Sequence, residues 1–230
     1  MNAVLANARW ELLRLLRSRR IFLLVIPVIA GPIGSALAFF YFGKMEPNGA
    51  VLTHGTALML GLFVTGGLAG MVMLDLSALS AGEDLARRSH VIAFALPQSR
   101  SSVLLGRLLV VFGATLGVFS VGALGVWPIA GAIVPALPSD PHPLYDATHL
   151  FLAMLSLLFF LGAVTLNASI ITKSSSEALV AGVLAGVVTA AAAFYFTYLH
   201  QISLLFPEVL LVVGAVALGW SFLRFERLES

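Results

Sequence analysis

Long apolar runs separated by short polar ones dominate the chain. A helix needs about 20 apolar residues to cross the hydrocarbon core of a bilayer, and five runs meet that length: 21–42, 55–80, 102–127, 147–172 and 177–198. A sixth runs from 204 to 222, with Pro207 and Glu208 near its start, where a helix end tolerates both. Residues 1–20 read differently. Trp10, Leu12, Leu13, Leu15 and Leu16 alternate with Arg9, Arg14 and Arg17, the pattern of a basic amphipathic helix. It either lies on the membrane surface or lengthens the first span. The pattern predicts an all-α polytopic membrane protein forming one transmembrane domain over residues 1–230. It comprises six transmembrane helices, an N-terminal interfacial helix and a short helix in the loop 81–100.

Composition agrees. Hydrophobic residues make up 60% of the 230 and charged residues 10%, where soluble domains carry about 45–50% and 25%. A soluble core of this length cannot hide so much apolar surface, whereas lipid accepts it. The first apolar run is long enough to span and follows twenty residues, so it reads as a retained helix rather than a cleaved signal. There are no cysteines, which removes disulfides, thiolate metal sites and cysteine nucleophiles.

The charges set an orientation. With the N-terminus inside, 12 of the 13 Lys and Arg residues fall in inner segments and only Lys44 lies outside, as the enrichment of cations in cytoplasmic loops requires. Six spans bring the C-terminal Arg224 and Arg227 inside too. The expected location is the inner (plasma) membrane, with both termini cytoplasmic. The cations sit at the ends of apolar runs rather than on one polar face, so lipid and protein partners are expected and nucleic acid is not.

Within the spans, Pro27 and Pro32 read as kinks, structural or hinge-like. Pairs spaced GxxxG, Gly66 with Gly70, Gly113 with Gly117 and Gly182 with Gly186, permit close helix approach within the bundle or between two copies. Thr65, Thr165, Asn167 and Ser169 are polar glue between helices or the lining of a pathway. The prolines of 128–146 are expected to prevent a continuous helix through that outer stretch, and its apolar first half points to a re-entrant or interfacial element.

Candidate chemistry is sparse. The chain has no GxxxxGK[ST], HExxH or GxSxG, so no catalytic residue, resident cofactor or metal is expected. His142, Asp146, His149 and His200 in the outer loops have no closed-site spacing. Asp75 is the nearest to a buried charge; it reads as an ion pair with Arg87, Arg88 or Arg107, or as a proton-coupling group. The segment 80–109 carries more. Glu83, Asp84, Arg87 and Arg88 form a charged turn at i, i+4 spacing, and Val91, Ile92, Phe94 and Leu96 give an apolar face. Pro97 then breaks the helix, and Arg100 precedes the third span. This is either an ordinary charged loop or a docking element.

The segment resembles one in the small membrane subunits of ABC-type exporters of the type-2 permease class. Their stretch reads roughly E-x-E-x-G-T, an apolar run, L-P-x-S-R and then G-K or G-R. Glu83 and Asp84, the apolar run, Leu96-Pro97-Gln98-Ser99-Arg100 and Gly106-Arg107 follow it. Arg88 and Ser89 stand at the Gly-Thr pair, and the longer outer stretch precedes the fourth span rather than following the fifth. The resemblance implies an exporter permease half that pairs with a second permease copy or paralogue. ATP would be bound by separate cytoplasmic ABC ATPase subunits, with 81–96 as the coupling helix and Glu83, Asp84, Arg87, Arg88, Phe94, Pro97 and Arg100 at the contact. Few charges in the spans favour an amphiphile, peptide, drug or lipid-linked substrate over a small ion. A six-helix scaffold anchoring a cytoplasmic partner is the alternative, and a secondary carrier is disfavoured by the scarcity of intramembrane charge.

Overall fold

The computed structural model describes residues 3–18, 20–45, 54–86, 99–133, 143–200 and 206–227. It describes their side chains except those of 21, 35, 38–45, 54–57, 81–86, 130–133, 143–147, 193–200 and 206. These residues form seven helices and no strand: α1 (Ala3–Arg17), α2 (Ile21–Met45), α3 (His54–Ala86), α4 (Arg100–Ile133), α5 (Pro143–Thr172), α6 (Ser175–His200) and α7 (Phe206–Glu226). Stretches within five of them, α3 to α7, are long and apolar enough to cross a membrane: Leu58–Ser80, Arg100–Ile129, Thr148–Thr172, Ser175–Ala192 and Pro207–Glu226. The chain is a multi-pass membrane protein. In α2 the apolar stretch with described side chains, Phe22–Gly34, is shorter.

The boundaries move where charge or proline was expected to end a helix. α3 continues past Ser80 to Ala86, through Gly82, with no proline before Pro97. α4 runs through Pro128 to Ile133. A proline forfeits one backbone hydrogen bond, and the apolar residues after it stay helical because lipid offers their peptide groups no other partner. α1 ends at Arg17, apart from the first apolar helix: its last ladder bond runs from the Ser18 N–H to the Arg14 carbonyl at 3.0 Å, and the Ser18 hydroxyl donates to the Leu15 carbonyl at 2.8 Å.

α3 is the centre of the bundle, packed against α2, α4, α5 and α6, and α5 carries α6 and α7 on its other flank. Accordingly 56% of the α3 window is buried, against 17% for α6. Small residues set these contacts. A Cβ on Gly31 of α2 would collide with the Thr65 side chain of α3, and one on Gly122 of α4 would lie 2.7 Å from Thr65 Cγ2 and 3.0 Å from the Pro27 carbonyl oxygen. Three backbones therefore converge on Thr65, as small residues allow in lipid. Pro27 is fully buried in this node, so the α2 proline packs against a glycine of α4. The main core continues through Leu62, Met73, Phe119 and Leu158, with Phe119 stacked on Phe151 at 5.3 Å. By contrast, Gly113 and Gly117 have nothing within 4 Å of a Cβ and face outward.

The outer faces of α6 and α7 are apolar. Val180, Val183, Leu184, Val187 and Val188 of α6 are exposed, as are Val209, Val212 and Val216 of α7. Water would penalise such continuous surface by roughly 25 cal/mol for each Å²; hydrocarbon does not.

Candidate functional site

The two helices that bracket the 80–109 segment meet at its base. Arg107, one and a half to two turns into α4, is only 9% exposed. Its guanidinium donates a hydrogen bond to the backbone carbonyl of Ser80 on α3. An arginine is suited to this position because its apolar stem lies against the helices while its fixed donor fork reaches an acceptor. The base is also tied to the far side of the bundle. Arg100, the first residue of α4, donates from Nη1 to the Glu226 carbonyl at the end of α7, 3.1 Å away. Leu104, Leu166, Ile170 and Phe225 form a second buried cluster linking α4, α5 and α7 at the same end.

α1 closes the remaining side. It packs mainly on α4, and Gly106 permits this: a Cβ there would stand 2.6 Å from Asn7 Cβ and 2.8 Å from the Ala8 nitrogen. Leu15 is buried in the main core, while Leu5, Trp10, Leu12, Leu13 and Leu16 are exposed. α1 thus has one side in protein contact and an exposed remainder in which these apolar side chains stand with Arg9 and Arg17.

Asp75 lies among these ends. Its carboxylate is 4.0 Å from Arg20 Nε, both side chains being partly exposed. Arg20 stands at the α1–α2 junction and was not among the partners expected from the sequence. The signal for it was its position as the last cation before the first apolar run. Whether it reaches Asp75 depends on the register of the α2–α3 pair, which apolar periodicity does not encode.

Of the other expected coupling residues, Glu83 and Asp84 fall in the last turn of α3; their side chains lie outside the described residues. Arg87, Arg88, Phe94 and Pro97 lie outside them entirely. The polar span residues divide. Asn167 donates to the Ala217 carbonyl of α7 at 3.0 Å and joins two helices. Thr65 and Ser169 donate to their own helix, to Gly61 and Leu166 carbonyls at 2.7 and 2.8 Å. Thr165 abuts Gly182 of α6, and its buried hydroxyl has no hydrogen-bond partner among the described residues. No group of three or more His, Asp or Glu among the described residues could hold a metal ion. His142 and the side chains of Asp146 and His200 lie outside that set.

Mechanically, the arrangement is a braced platform. Residues 87–99 connect the end of α3 to α4, near a point where α1, α3, α4 and α7 are held to one another. No family model matches the chain, and neither a curated protein nor a solved structure matches it.

Proposed function

We propose that the chain is the membrane-spanning half of an ATP-driven exporter, with α2 as a sixth span and both termini on the cytoplasmic side of the plasma membrane. It moves substrate without transforming it, works with a second permease copy or paralogue, and takes its energy from separate cytoplasmic ATPase subunits. The observation that carries this reading is the braced base of the 87–99 connection. An ATPase in water can do work on a membrane bundle only through a rigid contact. A push on this connection passes through Arg107 and Ser80 into α3 and α4, and through Arg100 into the end of α7. Two further points support it: the sequence of 81–100 resembles exporter coupling segments, and the chain carries no phosphate-binding loop of its own.

The test is reconstitution. The full chain, purified from its native membrane, is expected to bring with it a subunit carrying a Walker motif, and the complex in vesicles to hydrolyse ATP. The double charge reversal Glu83→Arg and Arg87→Glu is expected to lower that hydrolysis at least tenfold while leaving the chain folded. A chain that binds no ATPase, or an ATPase indifferent to the reversal, overturns the proposal; bound ATPase with no hydrolysis linked to the chain supports the scaffold reading instead.

A further inference from the structure

At the end of the bundle that carries Lys173, the termini of α5 and α7 bound an open cleft of about 440 Å³. Its lining divides by chemistry. Ile170, Ile171, Trp220 and Leu223 form an apolar wall, Lys173, Arg224 and Arg227 supply three cations, and no acidic side chain among the described residues lines it. Lys173 is placed there by the way α5 stops. Its φ is 54°, in the left-handed region, and its N–H bonds to the Ser169 carbonyl at 3.1 Å. The chain therefore turns immediately after the helix, which leaves Lys173 at the C-terminal end of α5, where a cation complements the helix dipole. Arg224 is positioned by Trp220, with its guanidinium carbon 6.0 Å from the ring centroid.

The apolar wall does not end at the cleft. The exposed residues Val209, Val212, Val216, Trp220 and Leu223 fall at i, i+3, i+7, i+11 and i+14 of α7, which is one stripe of a helix. At 1.5 Å per residue it runs about 21 Å, longer than the half-thickness of a hydrocarbon core, about 15 Å. A cationic recess thus opens directly onto an apolar track as long as one leaflet.

We propose that this cleft binds the headgroup of an anionic phospholipid of the adjoining leaflet, its phosphate among Lys173, Arg224 and Arg227 and an acyl chain along the α7 stripe. Charge complementarity selects the occupant: a zwitterionic lipid would bring its own cation among three others, whereas phosphatidylglycerol brings a net negative charge. The proposal needs only that α5 and α7 span the membrane, so it stands apart from the exporter reading.

The chain has three tryptophans, so Trp10→Phe with Trp127→Phe leaves Trp220 as the reporter. The full chain carrying these two changes is reconstituted in phosphatidylcholine vesicles containing either phosphatidylglycerol or phosphatidylcholine brominated on the acyl chain. Brominated phosphatidylglycerol is expected to quench Trp220 at a mole fraction lower by roughly tenfold or more, because each of the three cations favours an anionic headgroup. Adding Lys173→Gln, Arg224→Gln and Arg227→Gln is expected to bring the ratio near one. Equal quenching by the two lipids overturns the proposal, as does a preference that survives the triple substitution. Loss of the preference in inorganic phosphate, but not in chloride of equal ionic strength, assigns the cleft to a soluble anion and overturns it too. Should the triple variant fail to fold, the lipid and phosphate arms on the chain with its cations intact decide alone.

Discussion

Arg107 of α4 and Ser80 of α3 are joined by a hydrogen bond from a nearly buried guanidinium to a backbone carbonyl. A hydrogen bond to a charged group contributes about 1.5–3 kcal/mol, and removing one partner leaves the other unsatisfied. Arg107→Met keeps the apolar stem and deletes the donors. It is expected to destabilise the purified protein by about 2 kcal/mol in denaturant titration. Arg107→Lys, with one compact ammonium in place of a planar fork, is expected to recover less than half of that. If Met and Lys variants both match the parent, the two helices are not held together at this point.

The glycine-rich spans give a sharper contrast. Gly31 leaves no room for a Cβ because Thr65 occupies that space, whereas Gly113 and Gly117 have nothing within 4 Å. Gly31→Ala is expected to cost about 1–3 kcal/mol as an overpacked contact, and Thr65→Gly in the same chain to return most of it, a coupling that a double-mutant cycle measures. Gly113→Ala and Gly117→Ala are expected to stay within about 0.5 kcal/mol of the parent. Equal costs at all three positions contradict the packing described.

That contrast also marks how much was legible beforehand. Apolar run length located the helices α3 to α7 because in lipid a run of that size has one stable backbone conformation. The same sequence signal, GxxxG, covered Gly66, which meets Met154, and Gly113, which meets nothing. Spacing within one helix says that a face is small, and only the neighbouring helix decides what fills it. The site divides in the same way. Arg100 and Arg107 stood out as cations at the mouth of a span, but their acceptors are backbone carbonyls of Glu226 and Ser80, and every residue has a carbonyl. Nor could sequence choose Arg20 for Asp75, because a one-residue change in the α2–α3 register moves that guanidinium by about 100° around its helix.

For Asp75 the geometry argues a modest role. The 4.0 Å separation from Arg20 and the partial exposure of both groups place the pair with surface ion pairs, worth about 0.2–1 kcal/mol. Asp75→Asn and Arg20→Gln are each expected to lower stability by no more than about 1 kcal/mol, with a coupling energy inside the same range. On the exporter proposal, transport in reconstituted vesicles is expected to persist in Asp75→Asn. Abolished transport with unchanged folded yield would make Asp75 a proton-coupling group.

The last prediction uses the absence of cysteine from the whole chain, which lets single introduced thiols report sidedness without background. Ser99 precedes α4 and Ser176 lies in the first turn of α6, both exposed. α4 and α6 both begin at the end of the bundle that holds Arg107, Lys173 and Arg224, since Arg100 reaches Glu226 and Lys173 shares a cleft with Arg224. Ser99→Cys and Ser176→Cys are therefore expected to share one side. Cations are retained in the cytoplasm during insertion, so a membrane-impermeant maleimide should label both only after the cells are opened. Ser139→Cys, in the connection that leaves the opposite end of α4, should be labelled in intact cells. Labelling of Ser99→Cys and Ser176→Cys from opposite sides breaks the helix alternation itself. Labelling of both from outside reverses the orientation, and would leave the 87–99 connection where no cytoplasmic ATPase could reach it.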